Sequence, residues 1–234
     1  MSNRIFAILV RGRHSWNRLP EAIQPFSVLY SQSFDVSVVD FTSPSSPHAY
    51  PFTGIPGLFH YTEEFARLYP ALNTVNEILG QAGCSKPSIH YAVELAVKLS
   101  HSILLPVLAI YADDDEADIA AIAEGGKLIS LQEFRRYGDL ILEEGKLTFQ
   151  ELLFEEEPDI AEEFQHIKKK IQTLLLETGF ALHFPEPIPF SSDLHRIARS
   201  KANAYLGRAP ELLHLGSFED YDSDLKSEWN RPAP

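Results

Sequence analysis

Glu124-Gly125-Gly126-Lys127-Leu128-Ile129 and, nineteen residues further on, Glu143-Glu144-Gly145-Lys146-Leu147-Thr148 are the stretches on which the fold turns. Each has apolar residues on both sides of its glycine: 118–123 then 128–131 around the first, 139–142 then 147–153 around the second. Glycine takes up the positive backbone angles of a two-residue reversal without a steric cost, so each stretch reads as a β-hairpin turn. Two successive hairpins make an antiparallel meander. The shared E-x-G-K-L core reads as common turn chemistry rather than as a sequence repeat.

Upstream of the meander, Ile89, Ala92, Val93, Ala96, Leu99 and Ile103 recur at helical spacing behind Ser88, a good N-cap. The continuous apolar run 106–111 follows as a buried strand and stops at Asp113-Asp114-Asp115-Glu116. Nearer the N-terminus, Ile5-Phe6-Ala7-Ile8-Leu9-Val10 and residues 34–41 read as strands. The stretch 16–29, broken by Pro20 and Pro25, reads as a short helix, and 43–57, with four prolines and two glycines, as a loop. Thr62 opens a helix to Tyr69, and Pro70 opens another that ends around Gly80 and Gly83.

Downstream, Pro158 and Asp159 open a helix with Ile160, Phe164, Ile167, Ile171, Leu174 and Leu175 on one face, closed by Gly179. A proline-rich break at 185–189 precedes a last helix, capped by Ser192, with Leu194, Ile197, Ala198 and Tyr205 inward. These readings give an α+β class: a mixed sheet with antiparallel hairpins over 118–153, packed by several helices. Residues 1–184 form the α+β domain, and 185–234 add a C-terminal helix and acidic tail packed on it or extending from it.

The chain has 234 residues, 33 of them acidic and 20 basic, for a net charge of −13. That balance argues against coating nucleic acid, where phosphate neutralisation supplies most of the nonspecific affinity. Residues 1–100 are neutral, with 7 acids and 7 bases, whereas 113–163 hold 17 acids and 4 bases. The excess is therefore local. No apolar run approaches the roughly 20 residues of a membrane helix. The six-residue run at the N-terminus, followed at once by Arg11 and Arg13, fits a first strand better than a signal peptide. With Cys84 as the only cysteine there is no intrachain disulfide, and the expected compartment is a reducing cytoplasm.

Several residue patterns admit a chemical reading beside a plainer one. Asp113 and Asp115, alternating just past a strand, could hold a divalent cation, but no phosphate loop or second ligand cluster supports them, so a solvated acidic turn or a partner surface is the better account. Asp220-Tyr221-Asp222-Ser223-Asp224 starts like a calcium loop, yet Leu225 stands where the glycine is required. His60 and Glu64, one helical turn apart, are a weak metal or acid/base pair. Cys84 lacks a histidine partner and reads as structural. Glycine-serine elbow, phosphate-loop and dinucleotide motifs are missing from the sequence. The basic helix with Arg196, Arg199, Lys201 and Arg208 finds its better match in the chain's own acids or in another copy than in nucleic acid.

The block Tyr91-Ala92-Val93-Glu94-Leu95-Ala96-Val97-Lys98-Leu99-Ser100, the strand ending at Asp113-Asp114-Asp115 and the turn Glu124-Gly125-Gly126-Lys127-Leu128 together resemble small bacterial proteins described as immunity proteins of contact-dependent toxin systems. The resemblance covers about residues 91–128. It implies a toxin-neutralising protein without catalysis that binds its partner through a preformed surface.

The expectation is a non-enzymatic protein-binding module, of the immunity-inhibitor kind if the resemblance holds, that meets a basic partner protein through an acidic surface. Asp113, Asp114, Asp115, Glu116, Asp118, Glu143, Glu144, Glu155, Glu156 and Glu157 form that surface, on one side of the molecule. Dense carboxylates speed encounter with a cationic partner and disfavour wrong ones. No cofactor, nucleic acid or membrane is expected. Two alternatives stay open: a metal-dependent hydrolase or transferase using Asp113 and Asp115, and a homo-oligomeric structural protein pairing the basic helix with the acids.

Overall fold

A computed structural model describes residues 4–13, 27–31, 35–40, 63–84, 91–113, 117–154, 158–191 and 196–207. Strand β1 (Arg4–Arg11) pairs with both β3 (Val36–Asp40) and β4 (Val107–Asp113), which places it inside the sheet. Its alternate residues are buried on both faces, Ala7 and Leu9 on one and Ile8 and Val10 on the other, as an uninterrupted apolar run requires. Strand β2 (Ser27–Ser31) adds to the far side of β3. The expected short helix over 16–29 is thus corrected at its C-terminal end. Beyond Pro25, Ser27-Val28-Leu29-Tyr30-Ser31 holds a β-branched and an aromatic residue, and antiparallel pairing to β3 decides its conformation.

The meander follows β4 in sequence and in space: β5 (Ala117–Glu124), β6 (Lys127–Arg135), β7 (Gly138–Glu143) and β8 (Lys146–Leu153), each antiparallel to the one before. Its two glycine turns are those expected: Gly125 and Gly126 have φ 55° and 82°, and Glu144 and Gly145 have φ 50° and 77°. Positive angles at both central residues match the strand twist, which is why such turns close hairpins. Strand β9 (Ile188–Pro189) joins β8 in parallel, giving nine strands among the described residues in the order β2-β3-β1-β4-β5-β6-β7-β8-β9. The proline-rich break therefore contains a short strand that the sequence reading did not anticipate.

One face of the sheet carries a helical layer. It comprises α1 (Glu63–Leu68), α2 (Pro70–Ala82), α3 (Tyr91–Ile103) and α4 (Pro158–Thr178). Leu72, Val75 and Leu79 of α2, Val93, Ala96 and Leu99 of α3, and Phe164 and Ile171 of α4 share one core with Ile8, Ala109, Leu131, Leu140 and Phe149 of the sheet. Two hydrogen bonds tie this layer to the first hairpin: Leu128 N–H donates to Tyr69 Oη at 2.9 Å and Gly126 N–H to Ser100 Oγ at 3.1 Å.

The opposite face is covered by α5 (Arg196–Leu206), whose Ile197, Ala198, Ala202 and Tyr205 close a smaller core over Ala7, Leu9, Leu108, Ile110 and Ala120. The segment beyond 185 is thus packed on the sheet through β9 and α5. Helices α2, α4 and α5 each end on a left-handed glycine, Gly83, Gly179 and Gly207, which releases the last carbonyls to local amides. Helix α3 instead ends on Leu104 in the same conformation, with φ 57°.

Candidate interaction surface

Strand alternation and strand direction decide where each acid of the 113–163 segment goes. The meander has two ends. At the glycine-turn end lie Gly125-Gly126 and Glu144-Gly145; at the other, which the Arg136-Tyr137 reversal marks, β4 passes into β5 and β8 finishes. Asp113 and Ala117 are register partners there, so segment 114–116 is flanked at the arginine-turn end, as is 155–157, which follows Leu153 and Phe154. Asp114, Asp115, Glu116, Glu155, Glu156 and Glu157 themselves lie outside the described residues, as does the side chain of Asp113.

Glu143 and Glu144 are exposed at the opposite, glycine-turn end. Six to eight residues of strand separate the two ends, about 20 Å or more at the rise of an extended chain. The ten acids expected on one side therefore do not form a single surface. Counting charge along the sequence cannot register that successive turns of a meander fall at opposite ends.

Asp118 is a second correction. It faces α5 and is only 8 % exposed, so it cannot serve as a surface contact. Its two carboxylate oxygens accept the N–H groups of Ile197, at 2.6 Å, and Ala198, at 2.9 Å. These are orphan donors of the first turn of α5, and a carboxylate from the sheet takes the part of an N-cap. Burial pushes the carboxyl up to about 6, opposed by those two amides and by the nearby Arg196, with Asp139 adding to the rise. Ser192, the expected cap, lies outside the described residues.

Other acids of the segment meet the chain's own cations. On the α5 face, Arg196 grips Asp139 with two hydrogen bonds of 2.8 and 2.7 Å, Gln132 donates to the same carboxylate at 3.0 Å, and Lys201 lies 3.5 Å from Glu143. The expected match of the basic helix with the chain's own acids is realised through Arg196 and Lys201. On the helical face, Lys168 of α4 reaches Glu151 at 2.5 Å and Arg136 reaches Glu163 at 3.1 Å. Arg135 and Glu133, 2.7 Å apart, are both fully buried, and Arg135 also donates to Asn76 Oδ1 on α2. Desolvation pushes Glu133 upward, against the pull of Arg135.

The remaining candidates resolve simply. Cys84 is buried behind α2, and burial pushes its thiol up to about 11 although Arg135 and Arg136 pull the other way, so it is a packed side chain with little thiolate. His60, the side chain of Glu64 and the acids around Asp220 lie outside the described residues. Among the described residues no three metal-ligating side chains gather, and no helix is long and apolar enough to cross a membrane.

Sequence reasoning passed over an apolar group at the arginine-turn end. Leu153, Ile188 and Phe190 are exposed, and the rings of Phe154 and Phe190 stack with centroids 4.5 Å apart. The available signals were a Phe-Glu-Glu-Glu-Pro junction at 154–158 and the alternating Pro-x-Pro-x-Pro-Phe at 185–190, read only as a helix start and a break. No family model matches the chain, and neither the curated proteins nor the solved structures contain a match to it.

Proposed function

We propose that the chain is a non-enzymatic protein-binding module that receives a basic partner protein at the arginine-turn end of its sheet, the mode of action that the immunity-protein resemblance over 91–128 implies. One observation carries the reading. The acid-rich segments 113–116 and 155–157, seven carboxylates in sequence, adjoin strand termini at the same end of the sheet. Acids within the sheet, by contrast, are engaged inside the fold: Asp118 accepts the first-turn amides of α5, Asp139 grips Arg196, and Glu133 and Glu151 pair with Arg135 and Lys168. Among the cations at the arginine-turn end, Arg4 is the register partner of Asp113, Arg135 is buried against Glu133 and Arg136 reaches Glu163. A cationic partner approaching this end gains from the summed field, and the gain weakens with salt.

Cytochrome c, a small cationic protein, serves as the probe, with its association to immobilised chain followed at low and physiological salt. Reversal at the arginine-turn end, Asp114→Lys with Glu156→Lys, slows association at low salt by about tenfold or more. Reversal at the glycine-turn end, Glu124→Lys with Glu144→Lys, makes the same change in net charge and has a much smaller effect. Equal effects from the two pairs, or none from the first, would overturn the reading.

A further inference from the structure

We infer that Phe154, Ile188 and Phe190 form the seat for a cationic segment of the partner protein that carries aliphatic or aromatic side chains. The inference rests on the protein-binding reading above and specifies the chemistry that the partner presents.

Ile188 and Phe190 are 40 % and 38 % exposed, although they belong to a paired unit in which Leu152 stands opposite Ile188 and Leu153 opposite Pro189. Phe154 stacks on Phe190, and by the period of two Ile188 and Phe190 share a face, so the three make a contiguous apolar surface rather than scattered single residues. The partner does not enter by adding a strand. Phe190 N–H is committed to Leu153 O, so by the period of two the N–H positions facing away from β8 are 187 and 189, and both are proline. Recognition is left to side chains.

Charge selects the occupant. Phe154 is followed directly by Glu155-Glu156-Glu157, Asp159 and Glu162 are exposed on the first turns of α4, and Glu186 is exposed two residues before β9. A second copy of this chain, with a net charge of −13, would bring the same acids against themselves. Residues 208–234 contain Phe218, Tyr221 and Trp229 but hold six acids against three bases, so their charge also opposes the rim. A segment pairing lysine or arginine with apolar side chains satisfies both the surface and its border, the usual arrangement of an apolar centre within a polar rim.

The test uses the full chain and two labelled peptides of equal positive charge, one placing leucine and phenylalanine between its lysines and the other serine. Anisotropy titration of the wild type is expected to show the apolar peptide bound at least about tenfold more tightly, the effect of burying one or two such side chains. Ile188→Ser with Phe190→Ser reduces that ratio to about one and leaves the serine peptide unaffected, while Ile188→Val with Phe190→Tyr keeps it; unchanged circular dichroism and melting confirm that each variant is folded. A ratio near one in the wild type, or a ratio that survives the serine variant, overturns the inference. So does a concentration-dependent dimer that Ile188→Ser dissociates, or tighter peptide binding after Phe218→Ser with Trp229→Ser, since these identify a second copy or residues 208–234 as the occupant. Asp114→Lys with Glu156→Lys weakens both peptides together. Failure of that effect alone sinks the acidic-surface reading, whereas failure of the peptide ratio alone sinks the apolar seat.

Discussion

Replacing Asp118 by Asn sets desolvation against hydrogen bonding at one carboxylate. Asp118 is buried between β5 and α5, where the amides of Ile197 and Ala198, the guanidinium of Arg196 and the carboxylate of Asp139 all face it. Its carboxyl moves from 3.8 to about 6, so at about 1.36 kcal/mol per unit its ionisation costs the folded state about 3 kcal/mol. Because the folded value lies above the unfolded one, the folded state holds the proton more tightly. This stabilising contribution is fully present below about pH 4 and is lost as pH rises through about 6. Asn keeps the shape and one acceptor, and it adds a pH-independent offset of about 1 kcal/mol for the amide left without one.

Glu133, also pushed up by burial, gives a slope of the same sign in both proteins, so the difference between them isolates Asp118. Urea unfolding of wild type and Asp118→Asn from about pH 4.5 to about pH 7.5 is expected to show the wild type losing about 2 kcal/mol relative to the variant. A flat difference would mean that the two amides and Arg196 cancel the desolvation. A difference of opposite slope would mean that they exceed it, and that the carboxylate is a net anchor of α5 at neutral pH.

Two further changes probe the fold. Arg135→Met leaves Glu133 buried without its cation and lowers stability by about 3–5 kcal/mol, while adding Glu133→Leu recovers most of the loss; a double variant no more stable than the single one would show that the pair is not the source. Leu104 holds φ 57° and is 76 % exposed at the end of α3, where the other left-handed helix ends carry glycine. Leu104→Gly is therefore expected to raise stability by up to about 1 kcal/mol in the same unfolding assay, and a loss would point to a contact made by the leucine side chain.

What could be read from the sequence was whatever a short window decides. The glycine turns at Gly125 and Gly145, the apolar run of β1 and the helical stripe of α4 depend on residues within a few positions of one another, and each formed as expected. Strands β2 and β9 did not announce themselves, because their conformations come from partners distant in sequence or dissimilar in composition: Ser27–Ser31 is settled by β3, and Ile188–Pro189, between prolines, by β8. The same limit governs the charges. Asp118, Asp139 and Glu143 look like members of one acidic block, but alternation sends them to the α5 face, whereas Glu133 and Glu151 point to the helical layer. A block of like charge that runs through a meander is thus divided by face and by end before any partner arrives. Its members inside strands are drawn to the helices that pack on them, which is why Arg196, Lys201 and Lys168 lie where they do. The reading of this protein as a receiver of cationic partners consequently rests on segments 113–116 and 155–157, beside strand ends, and not on the block as a whole.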